Sequence, residues 1–211
     1  MKRVINLDNW NRKEHFKFFS ALDDPFWGIT MTVDFTSIYQ QSKNMEVSFF
    51  LYSVHFLLKC INATTAFKLR IENGEVVEYD KINISPTIGR EDGTFGFGFF
   101  EYDTDLSLFI ENAEKEIHRV KNSAGLSFSK DTARADVIRY SALPWFAFSE
   151  MKHAGSIQTG DSIPKISIGK LIQEKKKLLL PISISVHHGL VDGRNVAEFI
   201  QNVKDGQNNT L

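Results

Sequence analysis

His187 and His188, followed by Gly189, Leu190, Val191, Asp192 and Gly193, are the residues of this chain best placed by type and spacing to do chemistry. A neutral imidazole near pH 7 can take a proton from an attacking hydroxyl, a task typically worth about a hundred- to ten-thousand-fold in rate. The run Leu180 to Val186 alternates apolar residues with serines and is β-branched, so it reads as a strand that stops where a histidine is presented. Gly189 and Gly193 bracket a turn, and a helix follows. Consecutive strand residues point to opposite faces, so the two rings cannot serve one substrate or one metal ion. One histidine of the pair is expected to be catalytic. The same geometry, with no obvious third ligand, disfavours a metal site built from the pair and Asp192.

The elements that must hold this turn can be followed along the chain. Asp8 or Asn9 can cap a first helix running through Phe19. Trp27 to Phe35 alternates, with Ile29, Met31, Val33 and Phe35 on one face, as a half-buried strand does. Val47 to Asn62 is apolar on nearly every side, which requires a helix largely buried against a sheet. Asn73-Gly74 between short apolar runs in Arg70 to Val77 is the chemistry of a two-residue type I′ hairpin. Phe95, Phe97 and Phe99 alternate with Gly96 and Gly98, giving a strand with a row of rings on one side and a bare side where another backbone or a ligand would pack. Asp103 to Asn122 has helical apolar spacing and a cap at Asp103 or Thr104. Val137 to Tyr140, Ile166 to Gly169 and Leu178 to Val186 read as strands, Arg194 to Lys204 as a closing helix, and Ala154 to Pro164 as a loop. Glu174 to Lys177 is a polar turn before a buried strand. The hairpin excludes a purely parallel sheet. The expected architecture is α/β, a two-layer sandwich with helices over one face of a mixed β-sheet.

Composition narrows the partners. The chain has 211 residues, 42% of them hydrophobic and 24% charged, enough for one sizeable core, and no composition shift marks a second domain, so residues 1–211 are read as one unit. A formal net charge of -1 argues against an electrostatic hold on nucleic acid or anionic lipid. Cys60 is the only cysteine, so there is no intramolecular disulfide, and its apolar helical setting implies a buried, inert thiol. Residues 1–8 lack the apolar core of a signal peptide and no stretch approaches a membrane span, so a cytoplasmic location is expected. His15, His55 and His118 lie in helical segments and are expected to be core or surface residues.

Three separated motifs resemble those of the trimeric chloramphenicol acetyltransferases: Trp10 to Phe16, Ser141-Ala142-Leu143-Pro144-Trp145, and the His-His-x-x-x-Asp-Gly run. The last alone is shared with the acyltransferase cores of 2-oxo acid dehydrogenase complexes and with peptide-synthetase condensation domains. The resemblance spans nearly the whole chain and implies a CoA-dependent acyltransferase-like fold, acetyl-CoA as co-substrate, no metal, and a homotrimer with sites at subunit interfaces. It implies that His188 is the general base and that Ser141 stabilises the oxyanion rather than acting as a nucleophile. It implies that Asp192 pairs with Arg12 to hold the turn, and that Ser167 takes the place of a threonine that holds a water. His187 becomes a structural neighbour.

By the same resemblance Phe19, Phe95 and Phe128 line the acceptor pocket, each of which could instead be ordinary core. His153, within Met151-Lys152-His153, stands where the family has a leucine against the antibiotic, and Asp23 and Asp24 depart in a loop that borders the pocket. Trp145 and Lys170 match positions along the coenzyme A path. The implied activity is acetyl transfer from acetyl-CoA to a small-molecule hydroxyl, chloramphenicol or a related acceptor. Acylation of a different alcohol or amine, and a non-catalytic protein that binds coenzyme A or a ligand, stay open at this point.

Overall fold

In the computed structural model, which describes residues 1–155 and 160–208, the chain opens with β1 (Lys2–Val4), α1 (Lys13–Ser20), β2 (Phe26–Asp34), α2 (Thr36–Asn44) and α3 (Phe49–Asn62). A hairpin of β3 (Leu69–Glu72) and β4 (Glu75–Tyr79) leads to β5 (Asn83–Gly89), β6 (Phe95–Phe97) and α4 (Leu106–Lys121). Then come β7 (Val137–Ala142), β8 (Lys165–Ile168), β9 (Ile172–Glu174), β10 (Lys177–His187) and α5 (Gly193–Asn208).

Seven strands form the main sheet in the order β2-β10-β8-β7-β5-β6, with β9 paired to β10. The steps β5–β7 and β7–β8 are parallel, and the pairs that β10 makes with β2, β8 and β9 are antiparallel, so the sheet is mixed as expected. The period-two pattern of β10 decides which side is covered. Leu180, Ile182, Ile184 and Val186 are fully buried in the core, while Ser183, Ser185 and His187 alternate with them on the other face. On the apolar side α2 packs on β10, α4 packs on β5 and β6, and α3 touches α2, α4 and α5. Helix α3 is buried at nine positions, which is why its apolar residues surround it.

The hairpin turn is the expected one: Asn73 and Gly74 have φ of 51° and 81°, and a type I′ turn needs positive φ at both. It belongs to a separate three-stranded sheet, β1-β4-β3. Arg70, fully buried, fastens this sheet to the main one. Its Nε donates to the Ala135 carbonyl at 2.7 Å, Nη2 to Val137 at 2.7 Å, and Nη1 to Phe67 at 2.9 Å and Leu69 at 2.7 Å. Burial pulls its pKa down to about 10.

Three expectations need correction. The first helix starts at Lys13, because Asp8 ion-pairs with Lys13 at 2.6 Å instead of capping, and residues 7–9 form a separate 3-10 turn capped by Asn6. The cap of α4 is Asp105, not Asp103 or Thr104. Its carboxylate accepts from the N–H of Ser107 at 2.8 Å and of Leu108 at 3.2 Å, whereas the Asp103 carboxylate is taken up by the Asp105 N–H at 2.8 Å. The bare side of the glycine-aromatic strand is covered by side chains rather than by another backbone. A Cβ on Gly96 would strike the side chains of Ser127, Arg90 and Val120, and one on Gly98 would meet those of Glu116 and Ile88. Within the loop read between Ala154 and Pro164, residues 156–159 lie outside the described residues.

Candidate active site

His188 follows directly on β10, and both flanks of its backbone are tied. Its N–H donates to the Pro25 carbonyl at 2.8 Å and its carbonyl accepts from Arg12 Nη2 at 3.3 Å. Arg12 Nη1 also pairs with Asp192, with side-chain exposures of 17% and 31%. Asp192 does a second job as the cap of α5: Oδ1 accepts from the N–H groups of Arg194 at 2.9 Å and Asn195 at 3.2 Å. Asn195 returns the favour by accepting from the Asp192 N–H at 3.0 Å. Burial alone would raise the Asp192 carboxyl, but the Arg12 guanidinium and these N–H groups outweigh it and hold it below 3.8. Sequence positions 12 and 192 are thus brought together as the motif resemblance implies.

His188 is partly exposed, its Nδ1 is buried without a hydrogen-bond partner, and its ring lies flat on Phe19, with centroids 3.8 Å apart and planes 12° from parallel. Trp27 flanks it at 5.4 Å and is itself fixed by donating to the Val191 carbonyl at 2.9 Å. His187 has different surroundings. It is buried at 3% exposure, its Nδ1 accepts from the Gly189 N–H at 3.2 Å, and burial pulls its pKa down to about 4. It is therefore a neutral ring inside the structure, and the two histidines are separated as strand alternation requires.

Ser141 sits on the polar face of the sheet, in register with Ser167 on β8, which is in register with Ser183 on β10 and, beyond it, Thr30 on β2. The row continues to β5, where Thr87 donates to Ser141 Oγ at 3.2 Å. Ser167 is fully buried and its Oγ is 2.9 Å from His153 Nε2. The His153 segment is anchored over the same row, since Ser183 Oγ donates to the Met151 carbonyl at 3.3 Å. The polar atom of His153 that faces the sheet is thus engaged with Ser167. Register also fixes how far apart the two expected catalytic groups are. Ser141 is level with Ser183, five residues before His188 and two strands away, about 16 Å along the strand and about 10 Å across it. One chain does not bring Ser141 and His188 together.

The remaining site expectations fall in three places. Phe95 and Phe128 are 47% and 71% exposed and meet through Phe97, which lies 5.8 Å from one ring and stacks at 5.4 Å on the other. They form an open aromatic shelf rather than a closed pocket. Phe128 is held there by Ser127, a buried residue with φ of 57° whose Oγ accepts from Arg90 at 2.5 Å. Trp145 is 74% exposed, and the carbonyl of the next residue, Phe146, accepts from the backbone N–H of Lys170 at 2.9 Å just beyond the ends of β7 and β8. A cavity of about 860 Å³ lies elsewhere on the polar face, between β2, β8, β10 and the 149–155 loop. His153, His187 and Asp24 line it, and Phe19, Phe95, Phe128 and His188 do not. Asp161 lines it too and pairs with Arg139 at 2.8 Å and Lys165 at 3.3 Å. Thr87, Trp27 and Arg90 are contributors that sequence reasoning missed.

A mixed sheet of this order with helices on one face is the fold of the CoA-dependent acyltransferases. A probable dihydrolipoamide acetyltransferase from Listeria monocytogenes superposes with a TM-score of 0.69 over 99% of this chain and 94% of that one, at 13% identity, a likeness of fold. A solved chloramphenicol acetyltransferase superposes with a TM-score of 0.89 at 29% identity, covering 98% of this chain and 99% of that one. Chloramphenicol acetyltransferase 3 of Escherichia coli is 27% identical over 208 residues, 98% of this chain and 97% of the relative. A chloramphenicol acetyltransferase of Clostridioides difficile is 28% identical over 205 residues, covering 95% and 93%. Residues 2–204 match the family model described as chloramphenicol acetyltransferase, and the chain belongs to that family. It is an acyltransferase.

Proposed function

We propose that this chain transfers an acetyl group from acetyl-CoA to a hydroxyl of chloramphenicol, as a homotrimer whose sites form between subunits. The observation that carries the reading is the aimed imidazole: His188 is tied through its own backbone to Pro25 and Arg12 and is stacked on Phe19. Acetyl-CoA, when bound, supplies an acyl group on a thioester and leaves as the free thiol. His188 takes the proton of the acceptor hydroxyl as its oxygen forms the new ester bond, and returns that proton to the departing sulfur. Ser141 offers its O–H to the acyl oxygen that gains charge, a donor of the kind worth about a hundred- to a thousand-fold.

The separation of Ser141 from His188 within one chain supports a site completed by a neighbour's histidine. Exposed Trp145 and Phe146 beside Lys170 suit an aromatic and anionic co-substrate, by stacking and by charge. The Phe95–Phe97–Phe128 shelf suits an aryl acceptor. Of the two ring nitrogens of His153, Nε2 is engaged by Ser167, while Nδ1 is buried without a hydrogen-bond partner. A cytoplasmic site of action is consistent with the single buried thiol, Cys60, whose pKa burial pushes up to about 12. Among the described residues no helix is long and apolar enough to cross a membrane.

The test is thiol release from acetyl-CoA in the presence of chloramphenicol and a panel of other alcohols. Chloramphenicol-dependent release is expected, with its loss in His188→Ala while the far-ultraviolet spectrum is unchanged. Unaltered turnover in that variant removes His188 from the mechanism, and release with another alcohol alone reassigns the acceptor.

A further inference from the structure

β6 is the edge strand of the main sheet, and its alternation puts Phe95 and Phe97 on one side and Gly96 on the other. The loop after α4 meets this edge where the Phe97 N–H donates to the Leu126 carbonyl at 2.9 Å. The next two residues straddle the strand. Ser127 is buried on the glycine side, where a Cβ on Gly96 would strike its Oγ. Phe128 stands on the ring side, 71% exposed and stacked on Phe97 with planes 21° from parallel.

The chain changes side through Ser127, whose φ of 57° is a conformation that residues with a Cβ adopt at a cost. A hydroxyl network holds it there. Ser123 Oγ donates to the Val120 carbonyl at 2.8 Å, so in the 2.5 Å contact between the two serines the proton comes from Ser127. Ser127 Oγ in turn accepts from Arg90 Nη2 at 2.5 Å. The same guanidinium reaches the Val120 carbonyl through Nε at 2.9 Å and Thr94 Oγ1 through Nη1 at 3.1 Å. Arg90 thereby joins the β5–β6 connection, the last turn of α4 and the loop that carries Phe128. These acceptors are all neutral oxygens, so the planar fork works as a jig rather than as half of an ion pair. The hollow over Gly96 admits it, since a Cβ there would lie 2.5 Å from Arg90 Nη2 and 2.9 Å from Val120 Cγ1.

We propose that Arg90, seated over Gly96, is a positioning residue for acceptor recognition: by locking Ser127 it presets the Phe128 ring against Phe97 for an aryl acceptor. This rests on the acetyl-transfer reading above and deepens it. The resemblance places Phe95 and Phe128 at the acceptor and gives no task to Arg90, Gly96 or Ser127. A surface ordered before the ligand arrives spares the cost of ordering it on binding.

The experiment is steady-state thiol release for the wild type, Arg90→Met, Phe128→Ala and the double variant, with chloramphenicol and acetyl-CoA varied in turn. Phe128→Ala is expected to raise KM for chloramphenicol about tenfold, as loss of an aromatic contact does, and Arg90→Met about fivefold. In both, kcat and KM for acetyl-CoA change less than about twofold, the pattern of a group that acts on acceptor binding. Once Phe128 is alanine, Arg90→Met is expected to have no further effect. An unchanged chloramphenicol KM in Arg90→Met, a parallel rise in KM for both substrates, or an equal rise with and without Phe128 overturns the proposal. So does an active enzyme indifferent to Phe128→Ala. A wild type that releases no thiol with chloramphenicol overturns the acetyl-transfer reading itself, and the proposal with it. A thermal midpoint within about 3 °C of wild type separates a change in KM from a loss of fold. If Arg90→Met falls outside that window, Ser127→Ala, which leaves the guanidinium its other acceptors, takes its place. The same rise in chloramphenicol KM is expected there, and an unchanged value is equally contrary.

Discussion

Replacing Asp192 separates two jobs that one carboxylate performs. Asp192→Ala removes the cap of α5, about 1 kcal/mol, and leaves Arg12 without its partner. With side-chain exposures of 17% and 31%, the pair lies between a solvated surface bridge and a buried one. Removing half of it is then expected to cost about 1–2 kcal/mol. The total, about 2–3 kcal/mol, corresponds to a thermal midpoint lowered by about 5–10 °C for a chain of this size. Asp192→Asn keeps an oxygen to accept from Arg194 and Asn195 but loses the charge, so only the pairing contribution disappears and the midpoint falls about half as far. The assay is thermal unfolding followed by circular dichroism at one fixed protein concentration, because the proposed assembly makes the midpoint concentration-dependent. Equal midpoints for the two variants refute the double role, and a loss below about 0.5 kcal/mol in Asp192→Ala refutes both parts. The pH dependence has a definite sign. The folded carboxyl titrates below its ordinary 3.8, so its contribution is complete above that value and is lost as pH falls through the lower, folded value. Asp192→Asn is expected to lose that part of the acid sensitivity.

Arg70→Met, which strips the donors from four backbone carbonyls in a fully buried position, is expected to cost about 3–5 kcal/mol, and Arg70→Lys is not expected to restore the forked geometry; urea denaturation of the three proteins checks both. Mixing His188→Ala subunits with Ser141→Ala subunits through a denaturation and refolding cycle is expected to restore part of the thiol release that each lacks alone, because a site between subunits can then draw its serine from one chain and its histidine from the other. No recovery on mixing counts against interface sites.

What could be read in the chain depended on how local its cause was. The alternation through β10 already separated His187 from His188, since strand side chains have a period of two and nothing distant can change that. Asn73-Gly74 fixed its turn for the same reason. Helix α2 escaped notice because Thr36–Asn44 is mostly polar and buries just Ile38 and Ser42; packing against α3 and β10 stabilises it more than its own periodicity. Strands β1 and β9 are three-residue, exposed edge strands with no apolar pattern to find. At the site, Arg12 and Asp192 were legible through motifs 180 residues apart. Thr87 and Arg70 were not, because their partners lie 54 and more than 60 residues away and no motif marks them. The bare side of Gly96 and Gly98 asked for a filler that sequence could not identify, and side chains from the 90, 116, 120 and 127 positions turned out to supply it.

The length of β10 has a biological corollary. Under the proposed arrangement a strand of eleven residues carries the proton acceptor past its own chain's serine, out to the rim where another copy must meet it. A freshly synthesised polypeptide is then chemically idle, and acetyl transfer begins with encounter between siblings. At low expression the protomers are finished but silent, so activity rises more steeply than abundance until association saturates.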